Sequence, residues 1–152
     1  MKKIVLALAA AAAFATPAMA NEARIEARGG VAWDSGTTED IWGIAAGYDF
    51  DLGSSAFAGL EVAGDKLGTT GTKVSFSVAG RLGAKLGEKT KLYADAGYGT
   101  EFVAGVGGDP FAGVGVEHTV AGNVYGKLFY RHYFIDAATD VDGVGVGVGV
   151  KF

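Results

Sequence analysis

Two histidines, His118 and His132, are the side chains of this sequence best suited to moving protons near neutral pH. His132 lacks the nucleophile that covalent catalysis needs beside the imidazole, and His118, beside Thr119, reads as an interfacial residue in place of a base. The run Tyr130-Arg131-His132-Tyr133 continues into Phe134, so no serine stands two residues beyond His132, and the chain has no cysteine. Asp136, Asp140 and Asp142 could offer oxygens to a divalent cation, but they lack the glycine and the closing bidentate acid of a calcium loop. They read as solvated loop carboxylates. The run Gly105-Val106-Gly107-Gly108 has no Walker lysine and no helix after it, which argues against phosphate binding. Glu26, Glu61 and Glu117 are interleaved with arginines and lysines, so an ion-pair network is expected in place of acid/base chemistry. No catalytic, cofactor-binding or metal-binding residue is expected.

The elements that must position these side chains start after a short leader. Lys2 and Lys3, an apolar run from Ile4 to Phe14, and Ala18-Met19-Ala20 before polar Asn21 and Glu22 make a secretory signal peptide. Its apolar run is too short for a spanning helix, which needs about 20 residues. Two parts are therefore expected, a cleavable helical signal over 1–20 and one domain over 21–152. Seventeen acidic residues stand against thirteen basic ones, two of the latter in the leader, and no basic patch competes for phosphates. Nucleic acid is excluded as a partner. The 26 glycines could mean low complexity, but aromatic and β-branched residues recur throughout, as they do not in disordered chains.

Past Ala20, apolar and polar residues alternate with period two, broken by Gly, Asp, Ser, Thr and Asn. Eight strands are expected: Ala23–Trp33, Asp40–Phe50, Ser55–Gly64, Thr72–Leu86, Lys91–Thr100, Pro110–Thr119, Val124–Tyr133 and Gly143–Phe152. The charges Arg24/Glu26/Arg28, Lys73/Arg81/Lys85 and Lys127/Arg131 each keep to one parity within their strand. Connections alternate in length, with short turns at Asp51–Ser54, Gly87–Thr90 and Ala121–Asn123 and longer loops at Asp34–Glu39, Asp65–Gly71, Glu101–Asp109 and Phe134–Asp142. Tight periplasmic turns and longer extracellular loops mark outer-membrane barrels.

Alternation alone does not say which face points inward, because a soluble lipocalin-type barrel would fill its lumen with valine and leucine. Here one face is Ala, Val, Leu and Ile flanked by aromatics, expected as interfacial girdles at Trp33, Trp42, Tyr48, Phe50, Tyr98, Tyr130 and Phe152. His132 and His118 are expected among the interfacial residues too. The other face carries near-balanced charge among glycines. Arg24, Glu26, Arg28, Glu61, Lys73, Arg81, Asp95, Glu117, Lys127 and Arg131 are expected as a lumen ion-pair network, since lone buried charges are costly. The expected fold is an all-β, eight-stranded antiparallel up-and-down transmembrane β-barrel with a plugged lumen, an edgeless form that, like a helix, satisfies every backbone group in lipid.

The segments Leu128-Phe129-Tyr130-Arg131, Asp142-Gly143 and Gly149-Val150-Lys151-Phe152 resemble the end of the opacity-type, OmpA-like or porin-like family of small outer-membrane barrels. His132 departs from the family's Tyr-Arg-Tyr segment. The resemblance implies residence in a Gram-negative outer membrane among lipids and lipopolysaccharide, as a monomer without cofactors. It also implies a barrel-assembly signal at Val146, Val148, Val150 and Phe152. A structural or surface-interaction role without catalysis is expected. Three alternatives stand beside it: a lipid A-modifying enzyme resembling outer-membrane deacylases, whose lipid-facing histidine precedes a serine where this chain has Phe134, a narrow porin, and a soluble exported lipid-binding barrel.

Overall fold

The computed structural model describes residues 21–102, 107–136 and 139–152. The expected leader, Met1–Ala20, lies outside the described residues, as do Gly105 and Val106. Eight strands follow in order: β1 (Glu22–Trp33), β2 (Thr38–Asp51), β3 (Ala56–Leu67), β4 (Val74–Leu86), β5 (Thr90–Gly99), β6 (Asp109–Ala121), β7 (Val124–Tyr133) and β8 (Val141–Lys151). Each pairs antiparallel with its sequence neighbour, and β8 returns to β1, closing the sheet into a barrel. The seam is tight: Ala23 and Phe152 exchange backbone hydrogen bonds of 3.3 and 2.9 Å beyond the ladder.

Parity decides what each wall carries, because a one-residue slip would send every side chain to the opposite face. Even positions of β1 and odd positions of β2 to β8 face inward. Outward-facing Ile44, Leu60, Phe76, Leu82 and Val148 each leave about three fifths of their surface uncovered. A soluble domain does not leave a continuous apolar belt of this kind exposed, and hydrocarbon is the solvent that suits it.

Large inward side chains meet glycines in register on the next strand. Phe57 pairs with Gly83, Phe111 with Gly97, Phe129 with Gly145, Tyr125 with Gly149 and Arg24 with Gly47. A methyl group on Gly83 would come within 2.6 Å of the Phe57 ring, and one on Gly149 within 2.6 Å of Tyr125. The glycine content thus makes room inside a narrow cylinder. The three turns at the end where β1 begins each hold a glycine in the left-handed region, at Gly53, Gly87 and Gly122, where a side chain would clash with its own backbone.

Candidate functional site

The site is the barrel axis. Around it the strands pair eight acids with eight bases: Glu22, Glu26, Asp49, Asp51, Glu61, Asp65, Asp95 and Glu117 against Arg24, Arg28, Arg81, Lys85, Lys91, Lys127, Arg131 and Lys151, with Glu39 and Asp109 at the long-loop rim outside this set. The formal charge of this set is zero. That neutrality is what a low-dielectric interior demands, because an unpaired ion there costs several kcal/mol.

Glu61 is the hub. One of its oxygens lies 2.8 Å from Arg28 and 2.8 Å from Arg131, and the other lies 2.9 Å from Arg24 and 3.5 Å from Lys127. Toward the long loops, Arg28 grips both oxygens of Asp65, and Arg131 donates to Asp95 at 2.5 and 3.0 Å. At mid-height, Glu26 accepts from Lys127 and, at 2.7 Å, from the Tyr125 hydroxyl. Toward the short turns, Asp49 accepts from Arg81 at 2.8 Å and Lys91 at 3.0 Å, while Glu117 meets Lys151 at 2.6 Å and Arg81 at 3.2 Å.

Aromatic rings plate the gaps between these ions. The Arg81 guanidinium sits 4.6 Å from the Tyr93 ring centre and 5.0 Å from that of Phe57, and Arg131 sits 4.6 Å from that of Phe111. Such cation–π contacts compensate part of the hydration that the guanidinium loses.

Nine of the ten residues expected in the network, all but Lys73, are brought together here and buried. Lys73 is a correction. It precedes β4, is exposed, and pairs with Glu101 at 2.7 Å outside the lumen. Asp65, expected in a loop, is a second correction: β3 runs on to Leu67 and carries it into the interior, opposite Gly43. Asp49, Lys91 and Tyr125 face the lumen by parity and belong to the network as well.

The girdle aromatics take two levels on the outer wall. Trp33, Trp42, Tyr98 and Tyr130 lie toward the long loops, where the Tyr98 hydroxyl donates to the Gly108 carbonyl at 2.7 Å and that of Tyr130 to Asp142 at 2.5 Å. Tyr48, Phe50 and Phe152 lie toward the short turns, with the first two rings 4.9 Å apart. His132 faces outward beside Tyr130. Its Nδ1 is 2.8 Å from Asp142, its Nε2 is 3.3 Å from Asp140, and its ring stacks edge-on against Phe134. His118 is exposed and shares a 2.9 Å hydrogen bond with Thr90.

A charged axis inside an apolar wall agrees with a family-level match: the outer membrane protein beta-barrel domain matches residues 6–152. The chain belongs to that family. It is the same group of small barrels that Tyr130, Arg131 and Phe152 resemble. No curated protein sequence matches the chain. Among solved structures, the outer membrane enzyme PagL is similar at TM-score 0.63 and 13% identity, over 84% of this chain and 98% of that one. Ail, the attachment invasion locus protein of Yersinia pestis, gives 0.62 and 16%, over 87% and 97%. Neisserial surface protein A gives 0.58 and 16%, also over 87% and 97%. At these identities the likeness carries the fold alone, and the set includes an enzyme beside a surface and an attachment protein. Members of this outer-membrane family share a cylinder; what this one does rests on its own side chains.

Proposed function

We propose that this chain is a non-catalytic integral protein of a Gram-negative outer membrane, a sealed strut whose rim meets the outside and whose interior passes no ions. The observation that carries this reading is the Glu61 hub, where four cations converge on one carboxylate and occupy the axis at mid-height. The apolar belt would be solvated by outer-membrane lipids and lipopolysaccharide, with the monomer as the working unit. Residues 1–20 would direct export and be removed. Val146, Val148, Val150 and Phe152, on the outward face of the strand that closes the barrel, would be read by the barrel-assembly machinery.

The test is conductance of the refolded protein in planar bilayers, alongside heat-modifiable gel migration. Sealed bilayers with heat-modifiable migration are expected. Steady ion-sized steps would replace the strut with a narrow porin, and loss of heat modifiability would remove the membrane barrel altogether.

One observation favours a second reading. His132 and Asp142 form a 2.8 Å hydrogen-bonded pair on the lipid-facing wall, which is the orienting half of a hydrolytic site. The position two residues on is Phe134, which cannot attack an ester. Incubation with lipopolysaccharide is expected to release no acyl chains, and release abolished by His132→Ala would establish the lipid-modifying alternative.

A further inference from the structure

At the long-loop end, above the Arg28–Asp65 pair, the lumen opens into a cavity of about 120 Å³. Its wall is divided. Leu67, Phe102, Ile135 and Tyr133 form an apolar side, and Ser77 and Asp109 form a polar one. Ser77, Gly99 and Asp109 are consecutive register partners on β4, β5 and β6, all pointing inward. With no side chain at Gly99, the hydroxyl of Ser77 and the carboxylate of Asp109 face a shared gap. Strands two apart are separated by roughly 10 Å, so the gap is wide enough to take a small charged group between the two side chains.

Among the described residues, two acids and no base line this cavity. Asp65 is neutralised from below by Arg28. Asp109 has no side-chain partner among the described residues, although every acid deeper in the barrel has one. Asp34, Asp40, Asp136 and Asp140 lie exposed on the surrounding loops and strand ends and add a negative field at the mouth. The nearby bases Lys66 and Lys73 are engaged with Thr72 and Glu101.

We propose that this vestibule is a binding site for a small primary alkylammonium ion. The ammonium group sits between Asp109 and Ser77, and the alkyl stem lies on Phe102, Ile135 and Leu67. A water molecule's share of liquid is about 30 Å³, so the cavity holds roughly four waters' worth of ligand, a stem of about four carbons with its nitrogen. An anion meets uncompensated carboxylate here. A neutral alcohol keeps the apolar contacts and loses the charge-assisted hydrogen bonds, which are about twice as strong as neutral ones. Binding in the vestibule does not depend on whether the lumen below conducts.

The experiment is amide NMR of the full chain in maltoside micelles, which carry no competing ammonium headgroup, titrated with n-butylammonium chloride at constant ionic strength. Saturable shifts are expected at Ser77, Gly99 and Asp109, with none at Gly53 or Gly122. Asp109→Asn should weaken binding at least tenfold, and Leu67→Trp, which fills the cavity and leaves the carboxylate, should abolish it. n-Butanol should bind at least tenfold more weakly, and butyrate should not bind. Equal binding of butanol or butyrate overturns the proposal, as do non-saturating shifts spread over the rim acids, or titrations that neither variant alters.

Discussion

Replacing Glu61 by glutamine keeps the volume of the side chain and removes the one charge that four cations share. The cost follows from what each cation retains. Arg28 still holds Asp65, Arg131 still holds Asp95, and Lys127 still holds Glu26. Arg24 is the loser: it gives up its 2.9 Å ion pair with Glu61, its remaining carboxylates, Glu26 and Asp49, stand farther off at 3.6 and 3.9 Å, and it is 1% exposed. Breaking a buried pair so that one ion is left uncompensated costs about 3–5 kcal/mol. With three of the four cations still partnered, the lower end applies, about 3 kcal/mol, or roughly two powers of ten in the folding equilibrium. Asp95→Asn is the matched control, because Arg131 keeps Glu61 at 2.8 Å, and about 1–2 kcal/mol is expected. Reversible urea unfolding of protein refolded into lipid vesicles, followed by the fluorescence of Trp33 and Trp42, measures both. If Glu61→Gln costs under 1 kcal/mol, or no more than Asp95→Asn, the hub does not organise the interior and the reasoning fails.

Gly97→Val would set a Cβ within 2.7 Å of the Phe111 ring and 2.8 Å of the Ala79 Cα, and should destabilise by about 1–3 kcal/mol, while Gly80→Ala on the lipid side, with open space around it, should be close to neutral in the same unfolding assay. The Asp34 carboxylate accepts from the amides of Gly36 and Thr37 at 2.8 Å each, which holds it below its ordinary range. A depressed carboxylate stabilises its turn above the unfolded value of 3.8 and loses that contribution as pH falls through the lower folded value, so the exchange protection of the Gly36 and Thr37 amides, relative to the intrinsic rate at each pH, should fall only below about pH 4. A loss of protection already at pH 6 would contradict this. Phe152→Ala removes an exposed ring beside the β1–β8 seam without touching the lumen, so slower folding into vesicles with unchanged final heat-modifiable migration is expected, and a matching loss of equilibrium stability would assign the ring a packing role instead.

Much of this architecture was legible because a barrel obeys one simple rule, that parity sets the face. Arg24, Glu26 and Arg28 announce the inside of β1 by their spacing, and the valines of β8 announce its outside. The errors fall at strand ends. Lys73 and Asp65 are both within a few residues of a long loop, and whether such a side chain is inside depends on how far the neighbouring strands rise beside it. β3 and β4 are paired from Lys66 and Val74 downward, so the ladder takes in Asp65 and leaves out Lys73. That boundary belongs to the stagger between strands, and a single strand's alternation carries no trace of it. The partners within the lumen were equally hidden. Glu61 meets Arg24, Arg28, Lys127 and Arg131 from β1 and β7, neither of which is its neighbour in the sheet.

That last pattern bears on how such a cylinder can be built. Lys127 and Glu26 are 101 residues apart in the chain, and Arg131 and Glu61 are 70 apart. A lone hairpin entering hydrocarbon would drag naked ions with it, because their counter-charges sit on hairpins that have not yet arrived. Half-built forms are thereby penalised at every stage, and the cheapest route into the bilayer is one in which all four hairpins cross together and curl shut as they go.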